Sequence, residues 1–238
     1  MCLTMRTCRA QQLPEEQAML AIGILMFDDV EILDFSGPYE VFSTAARVHG
    51  RRGGDPALFR CFLVSAEMKP VRARGGMKVL PDCVLPPAAD LDLLIVPGGD
   101  VGKAMTDPVL IGWIRAQAAR CEITASVCTG AFLLGEAGLL DGLPVTTHWE
   151  DLDALQQQCV RAQVRSDTPW IDCGKVVTSA GISAGIDMSL HLVERLAGRP
   201  LALATARQME YEWNSDGYCE HPVDERPRRA AAGVFSAA

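Results

Sequence analysis

The chain has 238 residues, 49% of them hydrophobic, enough apolar content for one sizeable core. Its formal net charge of −8 speaks against a nucleic-acid or anionic-membrane surface, and no apolar run approaches the ~20 residues that span a bilayer. Nine cysteines without a C-x-x-C pair, and four scattered histidines, argue against a disulfide framework or a zinc site and for a reducing, cytoplasmic compartment.

Residues 1–19 carry Arg6 and Arg9 but no continuous apolar stretch, so they read as a flexible leader and not as a secretion signal. Residues 21–27 are a near-continuous apolar run, the pattern of a strand covered on both faces. Just past its end stands Asp34, bracketed by Leu33 and Phe35. An acid there commonly caps a helix or turn, and the other reading is a carboxyl beside a reacting group. Pro38 is placed to open a helix through Ala46. Residues 59–65 and 93–96 are further strands, and the Gly- and Pro-punctuated stretches at 50–56 and at Pro86-Pro87 fit surface connections. The strand at 93–96 leaves directly into Pro97-Gly98-Gly99-Asp100. Glycines let backbone N–H groups approach a reacting atom, so Gly99 is a candidate donor for an oxyanion pocket, with the Thr129 N–H as its partner. Asp107 and Pro108 predict the N-cap and first residue of a helix to about Ala119, with Ile111, Ile114 and Ala118 on one face.

Residues 122–127 are a short apolar β-type run that collides with a small-residue helix start at Cys128. A cysteine at a tight strand-to-helix turn is lifted out of the core toward a crevice. Ser126 and Gly130 flank it at the offsets of the glycines in a nucleophile elbow. The first N–H groups of the following helix lack helical partners, which favours thiolate over thiol. A buried cysteine serving as a small apolar residue is the competing reading. The helix stops at Gly138, and His148 in Thr146-Thr147-His148-Trp149 is either a base or a satisfied structural histidine. Residues 175–179 form a last core strand, and 186–196 a long helix ended by Gly198 and Pro200. Residues 214–238, with Pro222, Pro227, Arg228-Arg229 and an alanine run, read as a tail. The alternation predicts an α/β fold with a mostly parallel sheet, helices on both faces, and a ligand site at the carboxyl ends of the strands.

Residues 33–38 (Leu-Asp-Phe-Ser-Gly-Pro), 96–99 (Val-Pro-Gly-Gly), 126–130 (Ser-Val-Cys-Thr-Gly), 146–149 (Thr-Thr-His-Trp) and 179–187 (Ser-Ala-Gly-Ile-Ser-Ala-Gly-Ile-Asp) together resemble the DJ-1/PfpI superfamily. Within it they are most similar to the isonitrile hydratase branch. The resemblance covers 20–213 and implies a flavodoxin-like sandwich related to class I glutamine amidotransferases. AraC-type regulators share nearly all of these motifs and continue into a helix-turn-helix domain, for which this sequence ends too soon. The resemblance implies that Cys128 is the nucleophile and Asp34 the carboxyl beside it. Thr129 stands where the protease-like branch has a histidine, so no Cys-His pair is evident. The glyoxalase-like and deglycase-like branches place Glu where Asp34 stands. The implied activity is hydration of isonitriles to N-substituted formamides through a thioimidate on Cys128, with Asp34 as acid/base and Thr129 orienting water or acid. No metal or organic cofactor is called for, the substrate is a small molecule, and a homodimer is implied. A glyoxalase or deglycase acting on reactive aldehydes, and a redox-sensing or ligand-sensing protein, are the alternatives.

Overall fold

In the computed structural model, which describes residues 19–85 and 91–219, the first apolar run forms strand β1 (Leu20–Met26), buried along its whole length. Ile22, Ile24 and Met26 enter one core while Ala21 and Leu25 enter the other, so both faces demand apolar residues and no alternation is visible in the sequence. The chain continues through α1 (Ile32–Arg51), β2 (Phe59–Ser65), the small hairpin β3 (Val71–Arg72) and β4 (Lys78–Val79), then β5 (Cys83–Val84) and β6 (Leu93–Val96). Next come α2 (Gly102–Met105), α3 (Pro108–Arg120), β7 (Ile123–Val127) and α4 (Gly130–Glu136). β8 (Pro144–Val145), α5 (Leu152–Gln158) and β9 (Gln163–Val164) follow, and then β10 (Trp170–Asp172) and β11 (Val176–Ser179). The described chain closes with α6 (Ala184–Ala197), α7 (Arg199–Gln208) and β12 (Tyr218–Cys219).

Eight strands form one sheet in the order β12-β10-β11-β7-β6-β1-β2-β5. The pairs from β11 to β5 are parallel; β10 runs antiparallel to β11, and β12 lies parallel to β10. One face carries α1, α6 and α7 over a core that includes Phe42, Val41, Leu190 and Leu201. The other carries α3, α4 and α5 over Ile114, Leu133 and Leu155. This is the mostly parallel α/β sheet the alternation predicts and the flavodoxin-like arrangement the family resemblance implies, with a change of winding direction at β1, whose neighbours are β2 and β6.

Several boundaries differ from expectation. The helix assigned to Pro38 begins six residues earlier, at Ile32, because the Glu31 side chain accepts the Ile32 N–H at 3.1 Å and supplies the cap. Pro38 is therefore interior to α1 and cancels one ladder bond, the one that would reach the Asp34 carbonyl. α1 also runs through Gly50 to Arg51, so the loop placed at 50–56 starts later. Residues 214–219, read as tail, are part of the structure: the Asn214 N–H donates to Asp187 Oδ1 at 2.9 Å and β12 pairs with β10. Of the leader at 1–19 all but the last residue, together with Pro86-Pro87 and residues 220–238, lies outside the described residues.

Candidate active site

Four adjacent parallel strands, β11, β7, β6 and β1, deliver their carboxyl ends to one place. β7 leads into Cys128, β6 into Gly98 and Gly99, β11 into Ile182, and β1 into the first turn of α1, which carries Asp34. The turn after β6 is clamped against the start of α1: the Glu31 N–H donates to the Gly98 carbonyl at 2.9 Å, and Val30 bridges Gly99. Gly99 has φ +132°, and a Cβ there would collide with the Asp29 carbonyl, so this close approach requires glycine. The Gly98 N–H donates to Asp34 Oδ2 at 3.0 Å.

Cys128 adopts φ 56°, a left-handed conformation that a non-glycine residue holds only when its surroundings impose it. They do so at both ends of the residue. The Cys128 N–H reaches the Ser179 and Ala180 carbonyls at 3.2 Å, and the Thr147 hydroxyl donates to the Cys128 carbonyl at 2.8 Å. Gly130 permits the turn, because a Cβ there would strike the Val96 carbonyl. The elbow anticipated from the sequence is thus present as geometry.

Its thiol is not presented as expected. Cys128 is 7% exposed, enclosed where the sequence reading had it lifted into a crevice. Burial, and then the charge of Asp34, push its pKa up from 9.0 to about 12, overriding the Thr129 and Ile182 N–H groups and the Thr129 hydroxyl that favour thiolate. The thiolate expected from the helix start is reversed: a helix of seven residues supplies less than desolvation and a neighbouring carboxylate take away. Asp34 is fully buried, and burial first, then the charge of Glu31, raise its pKa from 3.8 to about 7 against the Gly98 hydrogen bond. Its Oδ1 has no hydrogen-bond partner among the described residues; the Cys128 thiol and the Ile182 N–H face the carboxyl without closing one.

Thr129 lies at the site, but its hydroxyl is tied to Gly99, accepting from the N–H at 2.9 Å and lying 2.9 Å from the carbonyl oxygen. The Gly99 N–H is therefore already engaged and is not a free oxyanion donor, a correction to the sequence reading. Two N–H groups that reading passed over, Gly98 and Ile182, face the acid instead. Ile182 has φ 53°, a rare conformation for a β-branched residue. The only sequence signal for it is its place after Gly181 in the last quoted motif. His148 caps the short 3-10 turn at Trp149–Asp151, its Nδ1 accepting the Glu150 N–H at 3.4 Å, and its ring fills the space a Gly181 side chain would need. A mostly apolar hollow of about 450 Å³ opens beside α1, lined by Leu33, Phe35, Tyr39, Leu63, Ile186 and Met209 among others.

A family model described as DJ-1/PfpI matches residues 21–195. The chain is 35% identical to isonitrile hydratase of Pseudomonas putida over 226 residues, 90% of this chain and 92% of that protein. It is 34% identical to the HTH-type transcriptional regulator CdhR of Pseudomonas aeruginosa over 77% of this chain, a match that spans 53% of the regulator. In fold it is similar to a ThiJ/PfpI family protein from Pseudomonas syringae, with a TM-score of 0.73 at 24% identity, covering 88% of this chain and 84% of that one.

Proposed function

Because the chain belongs to the DJ-1/PfpI family, we propose that it is an enzyme that hydrates isonitriles to N-substituted formamides, with Cys128 as nucleophile and Asp34 as acid and base. The observation that carries the reading is the unpartnered, buried Oδ1 of an acid whose pKa stands near 7, facing a thiol. The terminal carbon of an isonitrile must gain both a nucleophile and a proton. A protonated Asp34 delivers its proton to that carbon as the Cys128 sulfur bonds to it, and the thiol proton passes to the carboxylate so formed. The product is a thioimidate, Cys–S–CH=N–R. Water then adds across the C=N bond, its oxygen to the carbon and one proton to the nitrogen; the C–S bond breaks as the carbonyl forms, Asp34 gives its proton to the sulfur and takes the remaining O–H proton, and the formamide leaves. The Gly98 N–H holds Oδ2 throughout, so that Oδ1 is the oxygen that exchanges protons.

Similarity to isonitrile hydratase along nearly the whole of both chains supports the substrate class. The substrate is a small molecule, the working form is a homodimer in the cytoplasm, and no helix of the described residues is long and apolar enough to cross a membrane. Formamide appearance from cyclohexyl isonitrile tests the reading. Turnover by wild type and none by Cys128→Ala is the expected result; lactate formed from methylglyoxal in its place would move the protein to the aldehyde branch.

A further inference from the structure

Away from Cys128, β10, α6 and β12 bring together Asp172, His191 and Cys219, which no sequence spacing foretells. Their donor atoms lie within 4.8 Å of one another; His191 Nε2 is 2.7 Å from Asp172 Oδ2 and 4.0 Å from Cys219 Sγ. Around a tetrahedral ion with metal–sulfur bonds of about 2.3 Å and metal–nitrogen or metal–oxygen bonds of about 2.0 Å, neighbouring donors sit ~3.3–3.5 Å apart. The Asp172–His191 edge must open and the His191–Cys219 edge close by roughly half an ångström, and the Asp172–Cys219 edge, the longest, must close by about an ångström or more, a movement of Cys219 on the short edge strand β12.

We propose that Asp172 Oδ2, His191 Nε2 and Cys219 Sγ form a binding site for a zinc-class divalent ion that fastens β12 to β10 and α6. A carboxylate, an imidazole and a thiolate are a donor set for a borderline ion and not for magnesium or calcium, which prefer oxygen alone. The groups that orient the ligands are in place. Trp170 stacks on the His191 ring with centroids 4.0 Å apart and planes at 20°, fixing the imidazole. The Gly174 N–H holds Asp172 Oδ1 at 2.7 Å, and Arg195 Nη1 spans Oδ1 and Oδ2 at 3.0 and 3.2 Å. That Arg195 group also donates to the Gly174 carbonyl at 2.6 Å, so it can stay with Oδ1 when an ion takes Oδ2. Asp172 and His191 are 4% and 3% exposed, while Cys219 is half-buried and marks the way in.

Protons balance simply. The thiol loses one to solvent as the sulfur binds. The imidazole Nε2–H, which donates to Asp172 while the site is empty, moves to Nδ1 through solvent, so one proton is released per ion. Water completes the fourth position.

The test uses the reduced, chelator-treated full chain titrated with Co²⁺ and with Zn²⁺. One equivalent of Co²⁺ is expected to give tetrahedral visible bands and a thiolate-to-cobalt charge-transfer band, unchanged in Cys128→Ala and Cys173→Ala and lost in Cys219→Ala. Cys219→Ser keeps the side chain's size, so it separates loss of the ligand from loss of packing: it should match wild type by circular dichroism and still lack the band. Zn²⁺ should raise the Tm of wild type and leave that of Cys219→Ser unmoved. Bands absent from wild type, or surviving both Cys219 variants, would overturn the site and leave Asp172, His191 and Arg195 as a hydrogen-bonded network alone.

Discussion

A carboxyl buried against a thiol is a group whose proton is worth free energy, and this makes the role of Asp34 measurable without substrate. Its folded pKa, about 7, lies above its ordinary 3.8, so between those values the native state binds a proton that the unfolded state has released. Stability from this group is therefore full below pH 3.8 and is lost as pH rises through about 7. Asp34→Asn removes the penalty, and urea unfolding should find the variant equal to wild type near pH 4 but more stable at pH 8, by on the order of a few kcal/mol. A difference that does not change with pH would contradict the shift. Catalysis should fall over the same range: the protonated acid disappears above about pH 7, so kcat drops there, and turnover should rank Asp, then Glu, then Asn at position 34. The same variant should lower the thiol pKa, because the neighbouring negative charge is gone, and should speed alkylation of Cys128 by iodoacetamide at pH 8, followed by peptide mass spectrometry. In wild type the enclosed Cys128 should label slowly, against the expectation of an exposed elbow cysteine.

At the scale of elements, the elbow after β7 is held from outside by Thr147, whose hydroxyl meets the Cys128 carbonyl at 2.8 Å. Thr147→Val removes that bond at nearly constant volume and should cost about 1 kcal/mol in denaturant unfolding. Turnover should fall about tenfold or more, since the strained backbone that aims the sulfur is then free to relax. Unchanged kinetics would show that Ser179 and Ala180 suffice to hold the turn. Gly98→Ala acts from β6: its Cβ would stand 2.5 Å from Thr129 Oγ1, 2.6 Å from the Thr129 backbone nitrogen and 2.9 Å from Asp34 Oδ2, so it should displace both the acid and the elbow and abolish turnover. These contacts mark what the sequence made legible. The core strands read as apolar runs because burial on both faces leaves no alternative, and the small residues around Cys128 betrayed the elbow. The start of α1 was missed because Pro38 is a stronger signal than a Glu31 cap. Ile182 was missed because nothing in an isoleucine announces a left-handed backbone, and the protonation of Cys128 because it depends on burial that only the assembled strands create.

Across the whole molecule, the two ends of the chain make opposite demands. β1 opens at Leu20, whose N–H already bonds to the Leu58 carbonyl, so deleting residues 1–17 should leave the Tm within error of wild type; a large fall would mean the leader docks. Ending the chain after Trp213 removes the Asn214 bond to Asp187 and uncovers β10, and should lower the Tm clearly. The strand order has a further consequence in time. β1 and β2 pair early along the chain, yet Asp34 meets Cys128 only once β6 lies between β1 and β7, and Ile182 arrives later still with β11, which follows β10 as its antiparallel partner. Parallel pairing closes long loops before it is rewarded, so it is slow. During refolding, helical circular dichroism should therefore recover ahead of turnover, and a nascent chain that already carries its acid remains chemically silent until the sheet is complete.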